Sequence, residues 1–172
     1  QVESGCLAVH MICYGSGTRR IGFALELVSY TFDPNRVFSD RGIHRTLVLQ
    51  SGAAAEGPIK AIRHFAACVL EVFFSSAPWL TIHNNRDGSV LSVQAYVKGG
   101  AYQAVAQRVH VGDQDVDDFF YTTSERLFRA LASGGWNVVL QQPRLDDDGS
   151  LSVAASGRGI PYLNVETQHG EV

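Results

Sequence analysis

The chain has 172 residues, of which 45% are hydrophobic, 18% charged and 10% aromatic, and its formal net charge is −3. A chain of this length can bury roughly 70% of the surface that its unfolded form exposes, so we predict one domain over 1–172. The small negative charge gives no sign of a nucleic-acid or anionic-membrane partner. The long apolar run Phe65–Phe74 is too short to span a bilayer and contains Glu71, so no transmembrane helix is predicted.

The first part of the chain has strand-like and then helical patterns. Leu7–Tyr14 is apolar and β-prone, GSGT follows as a turn, and Arg20–Leu27 continues as a second strand, which predicts a hairpin. After VSYTF, a polar loop is predicted over Asp33–Arg45. Glu56–Phe74 is predicted as a helix, because Pro58 lies near its first turn and apolar residues recur at helical spacing.

The second part of the chain alternates strands and helices. Trp79–His83 is predicted as a buried parallel strand, and Tyr102–Arg108 has a weak helical pattern. Ser124–Ala132 is predicted as a helix with Ser124 as its N-cap, closed by two glycines. Three more segments are predicted to be extended: Val90–Val97, Trp136–Gln141 and Ile160–Glu166.

This alternation predicts an α/β protein, with three α/β/α layers around a mixed, mostly parallel central sheet. Side chains at the carboxyl ends of strands in such sheets point into the ligand crevice. Asn35 with Arg36, His83 and Glu166 each follow or end a strand-like run. We therefore expect these side chains to converge in one cleft.

Two of these residues suit acid–base or metal chemistry. His83 ends a buried strand and opens a turn, which suits a metal ligand or a general base. Its alternative role is a structural histidine that is hydrogen-bonded to its neighbours. Asn84 follows it and could orient the ring or a substrate, although asparagine-rich turns usually have conformational reasons. Glu166 follows the apolar run IPYLNV, so we expect its carboxyl group to be partly desolvated, which suits a general base. The alternative is a strand-end acid that faces water.

The stretch FDPNRVF suits carboxylate binding. An arginine fork such as that of Arg36 matches a carboxylate bidentately, and the amide of Asn35 adds a donor. Pro34 restrains the loop that presents both side chains. The alternative is an ordinary surface turn with a solvated arginine.

Three motifs together resemble the zinc carboxypeptidase family, which includes the metallocarboxypeptidases and relatives of the succinylglutamate desuccinylase–aspartoacylase type. FDPNRVF resembles the family's DPNR motif, which holds the substrate carboxylate. LTIHNN resembles its strand-end histidine, and YLNVETQHG resembles the strand with its catalytic glutamate. The order of the motifs agrees, and the resemblance covers about Tyr30–Glu171.

The resemblance implies a zinc-dependent hydrolase that cleaves an amide bond next to a free carboxylate, in a peptide or an acyl-amino acid. Asn35 and Arg36 would then bind the carboxylate, with Asn84 as a further substrate contact. His83 would bind zinc and Glu166 would be the general base. Three tyrosines are candidates for lining a specificity pocket: Tyr96, Tyr121 and Tyr162.

The chain departs from the family in its zinc ligands. The family's first two ligands come from an upstream H-x-x-E type motif, but the one histidine before Arg36 is His10, followed three residues later by Cys13. A catalytic zinc normally needs three protein ligands. We therefore expect either an N-terminally incomplete enzyme or, as the alternative, a non-catalytic module that binds a carboxylate or peptide. A plain α/β domain with accidental motif matches is a third possibility.

The cysteines and the N-terminus leave the compartment open. Cys6, Cys13 and Cys68 have no zinc-type spacing and are predicted to be buried thiols, with a Cys6–Cys13 disulfide as an alternative. The sequence starts at Gln1 and has no recognisable signal peptide. An extracytoplasmic location therefore stays open, as does the oligomeric state.

Overall fold

A computed structural model describes residues 20–73, 77–85 and 90–168. The predicted strand Leu7–Tyr14 lies outside the described residues, as do Cys6, His10 and Cys13.

The chain divides into two compact units, Gln1–Val72 and Phe73–Val172, which are described separately. The single domain over 1–172 stays a prediction. Helices accompany a mixed sheet, so the protein has a general α/β fold. No helix within the described residues is long and apolar enough to cross a membrane.

The first unit opens with a tight hairpin. Strand β1, Ile21–Leu25, pairs antiparallel with β2, Val28–Phe32. Glu26 and Leu27 form the two-residue turn with φ of 49° and 68°, the positive values that match the twist of the flanking strands. The predicted strand Arg20–Leu27 is therefore wrong at its end. Neither glutamate nor leucine favours this backbone region, so no turn was predicted at these two residues.

Helix α1, Asp40–Ser51, occupies much of the segment that was predicted as a polar loop, and that prediction is wrong from Asp40 onward. Ser39 begins the helix by accepting a hydrogen bond from the backbone N–H of Gly42 at 3.0 Å. Gly52 ends it with a left-handed φ of 76°. This helix was not predicted, because its sequence is mostly polar and the buried face of the helix has few large apolar residues.

Helix α2, Glu56–Glu71, confirms the helix that was predicted from the apolar periodicity. Cys68 lies on this helix and is exposed, so the prediction of a buried thiol is wrong for this residue. It lies two positions after the buried Ala66, about 200° further around the helix and away from the packed face. The core of the unit consists of Phe32, Val37, Ile43, Leu47, Ile62 and Ala66.

The second unit contains a five-stranded sheet in the order β3-β7-β5-β6-β4. Two of its four pairings are parallel, β3 with β7 and β5 with β6, and the other two are antiparallel. A mixed sheet is thus confirmed, but the described strands are not mostly parallel. The strands are β3 Trp79–Asn85, β4 Ala106–His110, β5 Phe119–Thr122, β6 Val138–Gln141 and β7 Tyr162–Gln168.

Strand β3 is parallel to β7, as predicted, but the prediction of a buried strand is wrong: β3 is an edge strand, and its Leu80 and Ile82 are exposed. Strands β6 and β7 confirm the strands that were predicted near them. The extended segment predicted over Val90–Val97 is wrong, because Val93–Tyr96 forms a 3-10 turn. Val93 is fully buried there, packed with Phe119 and Val139. The apolar residues of this packed turn were therefore wrongly interpreted as a strand.

Helix α3, Glu125–Ser133, confirms the predicted helix and its N-cap Ser124. Its Phe128 packs on Val138 and Leu140, on one face of β6. A further short helix, α4 Leu151–Gly157, was not predicted.

The β1–β2 turn generates a stability prediction. Leu27→Gly should raise the free energy of unfolding by roughly 0.5–1 kcal/mol, since glycine adopts the left-handed backbone without a Cβ penalty. Leu27 is fully exposed, so few contacts are lost. Urea denaturation measures the change. The control Val28→Gly, in the adjoining strand, should lower stability, and a loss of stability in Leu27→Gly would contradict the argument.

A second prediction concerns pH. The carboxylate of Glu125 accepts hydrogen bonds from Arg108 and from Arg129, and these hold the pKa of Glu125 below its ordinary value, with the Arg108 hydrogen bond as the largest cause. The resulting stabilisation is present above the unfolded-state pKa and is lost as the pH falls through the lowered folded-state pKa. Glu125→Gln should therefore lower the urea midpoint at pH 7, and the difference should disappear on acidification. A constant difference down to pH 2 would contradict this.

Candidate functional site

Strands β3 and β7 bring together two of the predicted site residues. In their parallel register His83 lies opposite Glu166, and Nδ1 of the imidazole is 3.3 Å from Oε1 of the carboxylate. Both residues lie toward the carboxyl ends of their strands. A pair that is 83 residues apart in the sequence thus forms one local site.

The two side chains of this pair differ in exposure. The imidazole of His83 is 41% exposed, whereas the carboxylate of Glu166 is 8% exposed. The site is therefore a half-exposed ring beside a buried acid. A solvent-borne reagent reaches the ring readily, and water competes little for the carboxylate.

A chain of hydrogen bonds continues from Glu166 along the same face of the sheet. Asn164 Nδ2 donates to Glu166 Oε1 at 2.7 Å, and Thr81 Oγ1 donates to Asn164 Oδ1 at 2.8 Å. The hydroxyl of Tyr162 is 2.7 Å from Thr81 Oγ1. These residues share one face because alternate side chains of a strand point the same way.

The contact with Glu166 defines the tautomer of His83. A carboxylate oxygen accepts hydrogen bonds, so Nδ1 of His83 carries the hydrogen in this contact. In the neutral ring Nε2 then keeps its lone pair. A metal ligand or a proton acceptor needs this form of the ring.

Asn84 is not brought to the pair. It is exposed, and by strand alternation it lies on the opposite face of β3 from His83. The next residue, Asn85, is buried, and its Nδ2 donates to the carbonyls of Leu91 at 3.3 Å and Asp117 at 2.5 Å. Asn85 therefore ties loop backbone to the strand end, and substrate binding by Asn84 stays a prediction.

Asn35 and Arg36 lie in the first unit, within the 3-10 turn Pro34–Arg36. Asp33 caps this turn by accepting a hydrogen bond from the backbone N–H of Asn35 at 2.9 Å. Nη1 of Arg36 donates to the carbonyl of Asn35 at 2.9 Å. Two buried residues anchor the turn on its two sides, Phe32 and Val37. The turn is thus well restrained, and its convergence with the pair of the second unit stays a prediction.

The described residues do not complete a zinc site by themselves. No group of three or more His, Cys, Asp and Glu side chains among them is placed to hold a metal ion. His83 and Glu166 offer two of the donor types that zinc takes, whereas a catalytic zinc normally has three protein ligands. The zinc cofactor therefore stays a prediction.

Sequence reasoning missed Thr81 and Asn164. Both were read as parts of apolar strands, yet polar residues occupy every second position in each strand, Thr81 and His83 in one and Asn164 and Glu166 in the other. A period of two places such residues on one face. This alternation was the signal that could have identified them.

Comparison of the chain with protein-family models, with curated proteins and with solved structures finds no significant match. The resemblance to the zinc carboxypeptidases therefore stays a prediction that rests on the three motifs.

The tautomer of His83 can be tested directly. In long-range 1H–15N spectra at pH 9, His83 should be found mainly with its hydrogen on Nδ1. His110 provides the control, because its Nε2 is 3.0 Å from the carbonyl of Ala132, which can only accept, and so must carry the hydrogen. Glu166→Leu should remove the preference at His83 and leave His110 unchanged. A wild-type His83 with its hydrogen mainly on Nε2 would contradict the geometry.

Proposed function

We propose that this chain belongs to a zinc-dependent hydrolase of the carboxypeptidase type, which cleaves an amide bond next to a free carboxylate in a peptide or an acyl-amino acid. The observation that carries the proposal is the contact of 3.3 Å between His83 and Glu166. The motif resemblance assigns these two residues to one catalytic site. The proposal includes the three-layer α/β/α architecture that the resemblance implies.

Glu166 is the general base in this proposal. Its Oε1 accepts from Asn164 and His83, and among the described residues no donor reaches Oε2. Oε2 takes a proton from the water whose oxygen attacks the scissile carbonyl carbon. As the C–N bond breaks, the same proton passes to the leaving amine nitrogen. The buried position of the carboxylate limits competition from bulk water.

Arg36 and Asn35 bind the free carboxylate of the substrate. The guanidinium offers paired N–H donors, and the amide of Asn35 offers another. The anchored turn supports this role, because it limits the movement of both side chains. Fixing the substrate in this way can supply several kcal/mol of the barrier reduction through positioning.

His83 is the zinc ligand in the proposal, through the lone pair on Nε2, and its other ligands come from outside the described residues. Zinc, when bound, polarises the scissile carbonyl. The contact of His83 with Glu166 supports this role, because ligand histidines commonly donate their second N–H to a carboxylate.

A non-catalytic carboxylate-binding or peptide-binding module is the second candidate. The observation that favours it is the restrained DPNR turn, which forms entirely within the first unit. Carboxylate binding by Asn35 and Arg36 would need no zinc site.

Hydrolysis can be assayed with N-acetyl amino acids and dipeptides in the presence of zinc. Glu166→Gln should lower kcat by about 10²–10⁴-fold, with substrate binding largely retained, because it removes the proton acceptor but keeps the shape. Glu125→Gln, an exposed glutamate of the same unit, is the matched control and should stay active. Near-normal turnover by Glu166→Gln would refute the assignment.

Metal content distinguishes the two candidate functions. Stoichiometric zinc after chelator-free purification, reduced in His83→Ala, would support the hydrolase. Protein without zinc that binds an acetylated peptide through its free carboxylate, with binding lost in Arg36→Gln, would support the module.

A further inference from the structure

The hydrogen bonds that lead to Glu166 all run in one direction. The carbonyl oxygen Oδ1 of Asn164 can only accept, so the single hydroxyl hydrogen of Thr81 is donated to it. Thr81 then has no second hydrogen for Tyr162. The hydroxyl of Tyr162 must therefore donate to Thr81 Oγ1, across 2.7 Å.

The hydrogen bond between Asn164 and Glu166 fixes the orientation of the side-chain amide of Asn164. Its Nδ2 lies 2.7 Å from Glu166 Oε1, which accepts. With the amide reversed, two acceptor oxygens would face each other at this distance. The orientation is therefore set by Glu166, because the hydroxyl of Thr81 can donate or accept and would tolerate either end of the amide.

Burial makes this chain of hydrogen bonds costly to break. Tyr162 is 4% exposed, Asn164 is 6% exposed and Glu166 is 7% exposed. Water replaces a lost partner poorly at such positions, so an unmade hydrogen bond leaves a desolvated polar group. The amide of Asn164 is held more firmly than an exposed amide would be.

We infer that Asn164 is a positioning residue, which holds Glu166 so that Oε2 exchanges the proton while Oε1 stays an acceptor. Oε1 already accepts from Asn164 Nδ2 and from His83 Nδ1. This inference rests on the proposed role of Glu166 as general base. Thr81 holds Asn164 Oδ1 in place with its hydrogen bond, and Tyr162 in turn donates to Thr81.

Kinetics test the positioning role. With N-acetyl amino acids, dipeptides and zinc, Asn164→Leu should lower kcat by about 10–100-fold, as is typical when a group that orients a catalytic residue is removed, and KM should change little. Thr81→Val removes the hydroxyl at nearly constant shape and should also lower kcat, whereas Thr81→Ser should restore it. Because a purely structural role would change stability without this pattern, unchanged kcat in both Asn164→Leu and Thr81→Val would overturn the inference.

A spectroscopic readout separates this inference from the proposed function. In 1H–15N spectra, the side-chain amide hydrogens of Asn164 should exchange with solvent at least about tenfold more slowly than those of the exposed Asn84. One of them should shift in Glu166→Leu. If Glu166→Gln keeps its turnover, the proposed function is wrong, and Oε2 of Glu166 has no catalytic role. Exchange at Asn164 as fast as at Asn84 would overturn the orientation itself, whatever the activity.

Discussion

The parallel register of β3 and β7 is the constraint on which the candidate site depends. It sets Trp79 against Tyr162 at one end and His83 against Glu166 near the other. A slip of one residue would move every side chain of β3 to the opposite face. Ile82 or Asn84 would then stand where the imidazole now lies. The hydrogen bonds of Thr81 across the two strands favour this register over its neighbours.

The DPNR turn depends on a different constraint, which is local. Thr46 of α1 is buried, and its hydroxyl accepts a hydrogen bond from the backbone N–H of Asp33 at 2.8 Å. The helix therefore fixes Asp33, the residue that caps the turn. The turn then presents Asn35 and Arg36. The two arrangements thus arise from different causes: strand pairing positions the His83–Glu166 pair, and hydrogen bonding between helix and turn positions the DPNR turn.

The sequence predicted those elements whose apolar pattern agrees with their structure. Helix α2 has such a pattern and was found. Strand β3 was found as a strand, but its predicted burial was wrong, because Leu80 and Ile82 are exposed. His83 and Glu166 were recognised as strand-end residues. Helix α1 was missed because its exposed face dominates its composition. The turn at Glu26 was missed because its conformation comes from strand pairing and not from local preference. Asn164 was missed because the alternation of polar residues along β7 was overlooked and its second partner, Thr81, lies on another strand.

The directed hydrogen bonds give position 164 an unusual chemical selectivity. The side chain there must accept on one atom and donate from another two bonds away, at the length of an asparagine. Aspartate differs by a single atom, yet it would set oxygen against oxygen, and leucine of similar size offers neither function. Position 81 is less restricted, since serine and threonine both provide the hydroxyl group. Sequences that keep this arrangement should therefore vary at 81 while retaining one amino acid at 164.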